Sequence, residues 1–465
     1  MEERTQHRTS APARLRFVLG NMGTDVALPS EVPLVDLLPA VLPQFGAEWV
    51  EQGADHEGWV VQRLGEPPLD EDRTSTELNL LDGETLYLRP RADQFSPVDF
   101  DDLVDGVAER IREDPGSWTP ARTRWMLSLG AAAALLATLA VLLARGPAAV
   151  KAAIAGSMAL ALLCGAAVLA RAARELVAAV ALAGVAACYA AAAGWFFVLA
   201  SDPSATSAIA FTSAAAATLA ALCLGLAAIA DAAGLFAATM IFVLMLVVFG
   251  LIASLSPASP PQAASIALVV SLIAGMFIPV TAFRLGGLTL PLLPTNADEL
   301  RDDIDPVPHR LVVERGAVTV GYAKALHVGL GLSQVLLVLT LVAGGGTFPL
   351  ILAATVGLLL FLRVRHLNVV VQRWSMLVPA GCAILADLMY LTNELAFADR
   401  LLVLWFPALV VGAGLVVLSM RLPGRRLRPY WGRAVDILES LTAVAVLPLV
   451  LAVLNVYELM RGLGG

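Results

Sequence analysis

The sequence predicts a small N-terminal α+β domain followed by an all-α polytopic membrane domain. Of the 465 residues, 58% are hydrophobic and 15% are charged, whereas soluble domains average about 45–50% and about 25%. The charges also divide along the chain, with 24 acidic and 10 basic residues up to position 114 and 15 acidic and 21 basic residues after it. This composition excludes an ordinary soluble enzyme, a disordered chain and a secreted disulfide scaffold, and the acidic first part argues against nucleic-acid binding.

Residues 1–92 have the element order of a ubiquitin-like β-grasp domain. Residues 14–29 alternate apolar and polar side chains about a central break, which predicts a hairpin. Residues 32–46 predict a helix, residues 58–65 a third strand, and residues 76–91 a turn followed by a closing strand. The predicted helix presents four apolar residues on one face: Val35, Leu38, Val41 and Leu42.

Residues 93–124 are predicted to form an amphipathic helix and a linker. The segment DFDDLVDGVAERI places apolar side chains on one face and five carboxylates on the other. It is either a linker helix packed on the head or a docking face between the head and the membrane. The candidate contacts with a partner or lipid are Phe100, Asp101 and Asp102 on the helix and Arg122 and Arg124 near the membrane surface.

Residues 125–465 are predicted to form a membrane domain, since crossing a bilayer core takes about 20 apolar helical residues. A long cytoplasmic loop at 284–324 interrupts it and is either a partner-docking segment or disordered, and residues 296–305 within it are a candidate for a short polar helix. Eleven segments qualify as spans: 125–144, 152–170, 176–199, 208–230, 235–256, 263–283, 325–343, 347–362, 374–391, 401–420 and 441–459.

Basic residues near the span ends predict the orientation, because Lys and Arg are retained on the cytoplasmic side. Alternating eleven spans puts seventeen basic residues on one side and four on the other, namely Arg145, Lys151, Arg400 and Arg461. We therefore expect a cytoplasmic N-terminus and an extracytoplasmic C-terminus. The first residues lack an apolar stretch, so no cleaved signal peptide is expected.

Three further basic residues at the cytoplasmic span ends are candidate contacts with partners or anionic lipid: Arg421, Arg425 and Arg426. Arg284, at the start of the long loop, is a fourth. The positive-inside rule alone also accounts for such residues.

Ionisable groups within spans point to function, because a charge inside the bilayer is costly and usually has a role. Asp387 is the one carboxylate clearly inside a span, and it is either a proton-relay group or a residue paired at a helix end. The histidines form no metal-ligand spacing, no nucleotide-binding or hydrolase motif occurs, and no cofactor is expected. The four cysteines are expected to be free, buried, small apolar side chains: Cys164, Cys188, Cys223 and Cys382.

Several segments together resemble the EccD family, the polytopic inner-membrane component of type VII (ESX) secretion systems of actinobacteria. These are the head ending in DGETLYLRP, the acidic helix followed by SWTPARTR, the block RVRHLNVVVQR and the ending PLVLAVLNVYELMRGL. The resemblance implies a non-enzymatic scaffold in which two copies associate around a lipid-filled space. It also implies that the heads contact the FtsK/SpoIIIE-like ATPase EccC, with EccB and EccE as further partners.

A second hypothesis remains open from the residues themselves. The helical bundle could be a self-contained transporter of a small molecule, an ion or a lipid that uses Asp387 and the inner arginines. The scarcity of intramembrane charge favours the scaffold, because a coupled transporter usually has more than one such group.

Overall fold

The computed structural model describes residues 13–20, 22–46, 49, 58–64, 66–91, 104, 111, 118–288, 308–421 and 429–463. The chain divides into two compact units, residues 1–117 and residues 118–465.

The head contains a four-stranded sheet. Strand β1 (Ala13–Leu19) and β2 (Met22–Leu28) form an antiparallel hairpin, followed by helix α1 (Leu34–Val41), β3 (Trp59–Gln62) and β4 (Thr85–Pro90). The order in the sheet is β2-β1-β4-β3, with β1 and β4 parallel and the outer pairs antiparallel. The predicted β-grasp fold is therefore confirmed.

The predicted apolar face of α1 is wrong at one position. Leu34, Leu38 and Val41 are buried, whereas Val35 is 43% exposed. The backbone N–H groups of Leu34 and Val35 bond to carbonyls in residues 71–73, which fixes the start of the helix with Leu34 turned to the core. The buried residues therefore follow the spacing i, i+4, i+7, which is also a helical face.

The second unit is helical. Its helices are α2 (Pro120–Leu143), α3 (Ala148–Val168), α4 (Leu176–Ser201), α5 (Ser207–Ala228), α6 (Ala233–Leu255), α7 (Pro260–Met276), α8 (Ile278–Leu285), α9 (His309–Ala343), α10 (Thr347–Arg363), α11 (Val370–Glu394), α12 (Phe397–Arg421), α13 (Pro429–Val453) and α14 (Val456–Leu463).

Among the described residues, ten helices are long and apolar enough to span a membrane. The pair α7 and α8 makes an eleventh when it is counted as one span bent by 56°. Pro279 lies just after this bend, and a proline interrupts helical hydrogen bonding. The prediction of about eleven spans is confirmed.

Two predicted boundaries are wrong. The loop expected at 284–324 is helical from His309 onward, because α9 has 35 residues and is about 52 Å long, well beyond the bilayer core of about 30 Å. The last span is predicted at 441–459, but α13 runs from Pro429 to Val453 and Asn455 has a φ of 57°, which ends it. Both helices continue into polar sequence that hydropathy alone does not mark as a span.

Contacts between helix ends agree with the alternation of the spans. Arg124 pairs with Glu175 at the starts of α2 and α4, and Arg365 pairs with Glu439 at the end of α10 and near the start of α13. At the opposite ends, Gln262 Nε2 donates to the Val453 carbonyl. Each pair joins ends that the predicted alternation puts on one side.

Helix α9 is the central element of the second half of the helical unit. It packs against α6, α7, α8 and α11. In its most apolar 18-residue stretch, 61% of the residues are buried. Two glycines permit this packing. A Cβ at Gly329 would collide with the Ala238 carbonyl oxygen on α6, and one at Gly331 would collide with the Ser375 carbonyl oxygen on α11. The backbones of three helices therefore touch within one turn of α9, with Gly329 and Gly331 on opposite faces of the helix.

The expectation of buried cysteines is not met. Cys164, Cys188 and Cys223 are exposed on their helices, and Cys382 is partly exposed. All four are free, as expected. The reason is that much of the apolar helix surface in this unit is not covered by the chain itself, and in a bilayer lipid covers such surface.

Replacing Gly331 by alanine should destabilise the helical unit. The new methyl group would overlap the Ser375 carbonyl, and overpacking of this kind costs about 1–3 kcal/mol of unfolding free energy. The measurement is denaturation of the purified full-length protein in detergent micelles.

The matched control is Gly321→Ala on the same helix, where nothing lies within 4 Å of the added Cβ. It should leave stability unchanged or raise it by up to about 1 kcal/mol through helix propensity. Equal losses in the two variants would contradict the close backbone contact.

Candidate functional site

The predicted contact residues lie in different parts of the molecule. Phe100, Asp101 and Asp102 are outside the described residues, as are Arg425 and Arg426. The structure describes two residues of the predicted amphipathic helix's apolar face, Val104 and Ile111, and both are exposed. The remaining predicted basic residues are exposed at helix ends: Arg122, Arg124, Arg284 and Arg421.

Arg122 and Arg124 lie in the first turns of α2, where the sequence fixes the helix start. Thr119 caps the helix by accepting a hydrogen bond from the Arg122 N–H, and Pro120 occupies the first turn. Trp118 Nε1 donates to Thr123 Oγ1 at 2.8 Å. Arg124 lies 3.4 Å from Glu175, so this residue joins two helices of the bundle.

Asp387 is on α11 and is 9% exposed. Its Oδ1 atom is buried and has no hydrogen-bond partner. Asp387 therefore lies on a buried face of α11 within the helical unit. Among the described residues, no group of three or more His, Cys, Asp or Glu side chains is placed to hold a metal ion.

Among the residues that the structure describes, the most connected set of charged groups was missed by the sequence analysis. We call it the α10–α13 ion cluster, and it joins the end of α10 to the first turns of α13. Arg365 Nη2 is 2.6 Å from a carboxylate oxygen of both Asp436 and Glu439. His366 Nε2 is 3.1 Å from Glu439, and Arg363 Nε is 3.8 Å from it. The cluster fixes the ends of two helices that also pack along their length.

A sequence signal for this cluster exists but is weak. Asp436 and Glu439 are three residues apart, which places them on one face of a helix. The segment RVRH supplies three bases within four residues. The pairing itself could not be predicted from the sequence, because Glu439 lies 74 positions from Arg365 and 73 from His366. In addition, the positive-inside rule alone already accounts for the arginines.

Two buried polar side chains lie on one face of α9, two helical turns apart. His327 is 7% exposed, and its Nδ1 lies 2.8 Å from the Ala323 carbonyl, so this nitrogen carries the proton. Gln334, 5% exposed, lies seven residues further on the same face, and its Nε2 reaches Ser271 Oγ at 3.4 Å.

One end of the sheet in the head is organised by an ion pair. Arg63 Nε donates to Glu84 Oε1 at 2.6 Å, and Glu84 Oε2 accepts from the Leu81 N–H at 2.8 Å. Burial acts to raise the pKa of Glu84, but these hydrogen bonds outweigh it and hold the pKa below its ordinary value. Next to this pair, Leu64 and Leu81 are each 72% exposed, an unusual placement for large apolar side chains.

Comparison with known proteins identifies both units. Residues 13–88 match the family described as WXG100 protein secretion system (Wss), protein YukD. Residues 123–463 match the family described as EccD-like transmembrane domain, which is most of the chain. The chain belongs to the EccD family. It is thus a membrane component of type VII secretion with an N-terminal YukD ubiquitin-like domain.

Two solved structures share the fold of this EccD chain. A chain of the structure of protomer 1 of the ESX-3 core complex matches with a TM-score of 0.57 at 21% identity, covering 96% of this chain and 100% of that one. A chain of the MycP5-free ESX-5 inner membrane complex, State II, matches with a TM-score of 0.57 at 19% identity, covering 88% and 99%. No curated protein matches the sequence.

Glu439→Gln should destabilise the helical unit by about 1–3 kcal/mol, because it removes the carboxylate that meets Arg365, His366 and Arg363. Asp436→Asn is the matched control: its side chain is 63% exposed, and a surface pair contributes at most about 1 kcal/mol. Thermal unfolding of the full-length protein in detergent measures both. Equal effects would show that Glu439 is not the centre of the cluster.

Proposed function

We propose that this EccD chain is a non-enzymatic structural subunit of a type VII secretion complex. It forms a dimeric scaffold in the bacterial inner membrane and docks the secretion ATPase EccC through its cytoplasmic head, with EccB and EccE as further partners. Family membership carries the proposal. The similarity in fold to a chain in the structure of protomer 1 of the ESX-3 core complex, over the whole length of that chain, supports it.

The apolar surface of two helices supports association with a second copy. In the most apolar 18-residue stretch of α12 no residue is buried. In the corresponding stretch of α2 only 6% of the residues are buried. A Cβ added at Gly412 or Gly414 on α12 would have nothing within 4 Å of it, so another helix can approach this backbone closely. Membrane helices that pack so little on their own chain face either lipid or another subunit.

The charge distribution supports a cytoplasmic head. Two ion pairs of the described residues, Arg124–Glu175 and Arg365–Glu439, join helix ends that the predicted alternation puts on the basic side, which supports this orientation. Basic residues at span ends are retained in the cytoplasm. The C-terminus is then extracytoplasmic, and the head is on the side where ATP is available to a partner ATPase.

The exposed pair Leu64 and Leu81 is the part of the head that best fits a docking surface. The Arg63–Glu84 ion pair holds the two side chains at one end of the sheet. Exposed apolar side chains surrounded by charged groups are typical of protein interfaces, where a few such residues carry most of the binding free energy.

The double variant Leu64→Asp, Leu81→Asp should reduce co-purification of the ATPase at least tenfold. Removing two apolar side chains that are buried in an interface should cost more than about 1.4 kcal/mol of binding free energy, and that amount corresponds to a tenfold loss of affinity. The measurement is the amount of ATPase recovered with the tagged chain from native membranes.

Val35→Asp is the matched control, since Val35 is an exposed apolar residue of α1 away from the pair. It should leave recovery of the ATPase unchanged. If deletion of residues 1–114 leaves both ATPase association and secretion intact, head docking is refuted.

Asp387 distinguishes the scaffold from the transporter hypothesis, because its buried Oδ1 has no partner. Asp387→Asn keeps the shape of the side chain and removes the carboxylate. For a scaffold we expect secretion and complex assembly within about twofold of the unchanged protein. Loss of export with normal assembly in this variant would instead favour a proton-coupled carrier.

A further inference from the structure

Helix α14 (Val456–Leu463) follows the last span, and the proposed function gives it no role. Its two faces differ in polarity. Val456, Leu459 and Met460 have the spacing i, i+3, i+4 and share one face of the helix. Glu458 and Arg461 are three residues apart and share the opposite face. The helix is therefore amphipathic.

The apolar face of α14 is not covered by the chain itself. Leu459 is 66% exposed and Met460 is 65% exposed. Large apolar side chains that lie together at such exposure mark a surface that meets lipid or another molecule. The position of the helix determines which of the two covers this face.

Helix α14 begins at the membrane surface. The preceding helix, α13, ends at Val453, whose carbonyl accepts a hydrogen bond from Gln262 Nε2 in the first turn of α7. The first turn of α7 also meets the end of α9, because a Cβ at Gly344 would collide with Pro261. Three spans thus begin or end at the same level. Since spans begin and end where the hydrocarbon core does, this level is the bilayer surface.

The chain turns sharply at the end of α13. Asn455 has a φ of 57°, a left-handed conformation that asparagine adopts more readily than most residues. Tyr457 Oη then donates a hydrogen bond to the Pro448 carbonyl at 3.3 Å. Pro448 lies five residues, or about 7.5 Å, before the end of α13. The first turn of α14 is therefore beside the end of α13 and does not continue its axis.

The side of α13 on which α14 begins is the side that faces lipid. Pro448 itself is exposed. Val444, one helical turn before it, is 72% exposed, and the adjacent Leu447 is 62% exposed. Both are apolar residues within a membrane span, where lipid covers such side chains. The apolar face of α14 is thus next to a surface that lipid already covers.

The polarity of the two faces decides the direction of the helix. If α14 pointed away from the membrane, Leu459 and Met460 would be exposed to water. If it ran back along α13, Glu458 and Arg461 would enter the hydrocarbon core, where charged side chains are costly. A helix parallel to the surface satisfies both faces, as in other amphipathic helices that lie in the interface.

We propose that α14 binds the lipid surface and lies in the interface of the adjacent leaflet. Leu459 and Met460 insert between acyl chains, and Glu458 and Arg461 lie among headgroups and water. Helix α13 is then held at both membrane surfaces, by α14 at its end and by the α10–α13 ion cluster near its start. This goes beyond the proposed function and does not rest on it.

The test uses the full-length chain in lipid nanodiscs, which leave both membrane surfaces open to reagents. The four free cysteines are replaced by alanine, and a single cysteine is introduced and labelled with a nitroxide. Electron paramagnetic resonance compares accessibility of the label to oxygen, which concentrates in hydrocarbon, and to a water-soluble nickel chelate. The reference for water is Asp25→Cys on β2, whose side chain is 83% exposed. The reference for lipid is Leu409→Cys, 54% exposed in the middle of α12.

The preference of the label should alternate along α14. At Leu459→Cys and Met460→Cys we expect a preference for oxygen and a depth of about 5–10 Å below the headgroups. At Glu458→Cys and Arg461→Cys we expect a preference for the nickel chelate, as at Asp25→Cys. Opposite preferences at adjacent residues require a helix that lies along the surface.

A charge placed on the apolar face should release the helix. Met460→Glu should shift the label at Leu459→Cys to the nickel accessibility of Asp25→Cys, because burying the new carboxylate among acyl chains is costly. The matched control is Arg461→Gln with the same label. It alters only the polar face and should leave the label where it was. Folding of each variant is checked by its elution volume and helical circular dichroism.

Three results would overturn the proposal. Nickel accessibility at Leu459→Cys and Met460→Cys equal to that at Asp25→Cys would place the helix in water. A preference for oxygen at all four positions of α14 would place it in the hydrocarbon core. Low accessibility of Leu459→Cys and Met460→Cys to both reagents would show that protein, such as a second copy of the chain, covers the apolar face.

Discussion

The close approach of three helix backbones at Gly329 and Gly331 is the constraint on which the second half of the helical unit depends. Any side chain at either position would collide with a backbone carbonyl of α6 or α11. In lipid there is little hydrophobic gain from bringing helices together, so close van der Waals packing must supply the association. Because α9 is held in this way, α6, α7, α8 and α11 all pack around this one helix.

The same packing explains why the outer helices are so exposed. The helices of the second half of the unit pack around α9. By contrast, no residue in the most apolar 18-residue stretch of α12 is buried. An anchoring frame needs both properties: a rigid centre that keeps its shape, and outer helices that are free to meet lipid or a further subunit. The α10–α13 ion cluster links these two helices through charged side chains at one membrane surface. Desolvating charged groups is less costly there than in the bilayer centre.

Much of the fold could be predicted from the sequence, because two strong periodic signals carry it. Alternating strands and apolar runs of span length predict the β-grasp head and about eleven spans. Hydropathy could not locate the start of α9, since the charged residues Arg310, Glu314, Arg315 and Lys324 lower the mean hydropathy of a segment that is nonetheless helical. Nor could it find the pairing of Arg365 with Glu439, which depends on tertiary packing between residues far apart in the chain. Asp387 was found because a single carboxylate in an apolar run needs no knowledge of the fold.

The most direct test of the scaffold account is the mass and composition of the particle that this chain forms. The chain is tagged at its C-terminus, extracted from native membranes in a mild detergent, and analysed by native mass measurement and peptide identification. The account predicts a large assembly that contains at least two copies of the chain and an FtsK/SpoIIIE-like ATPase. A single copy free of any ATPase in several detergents would contradict it.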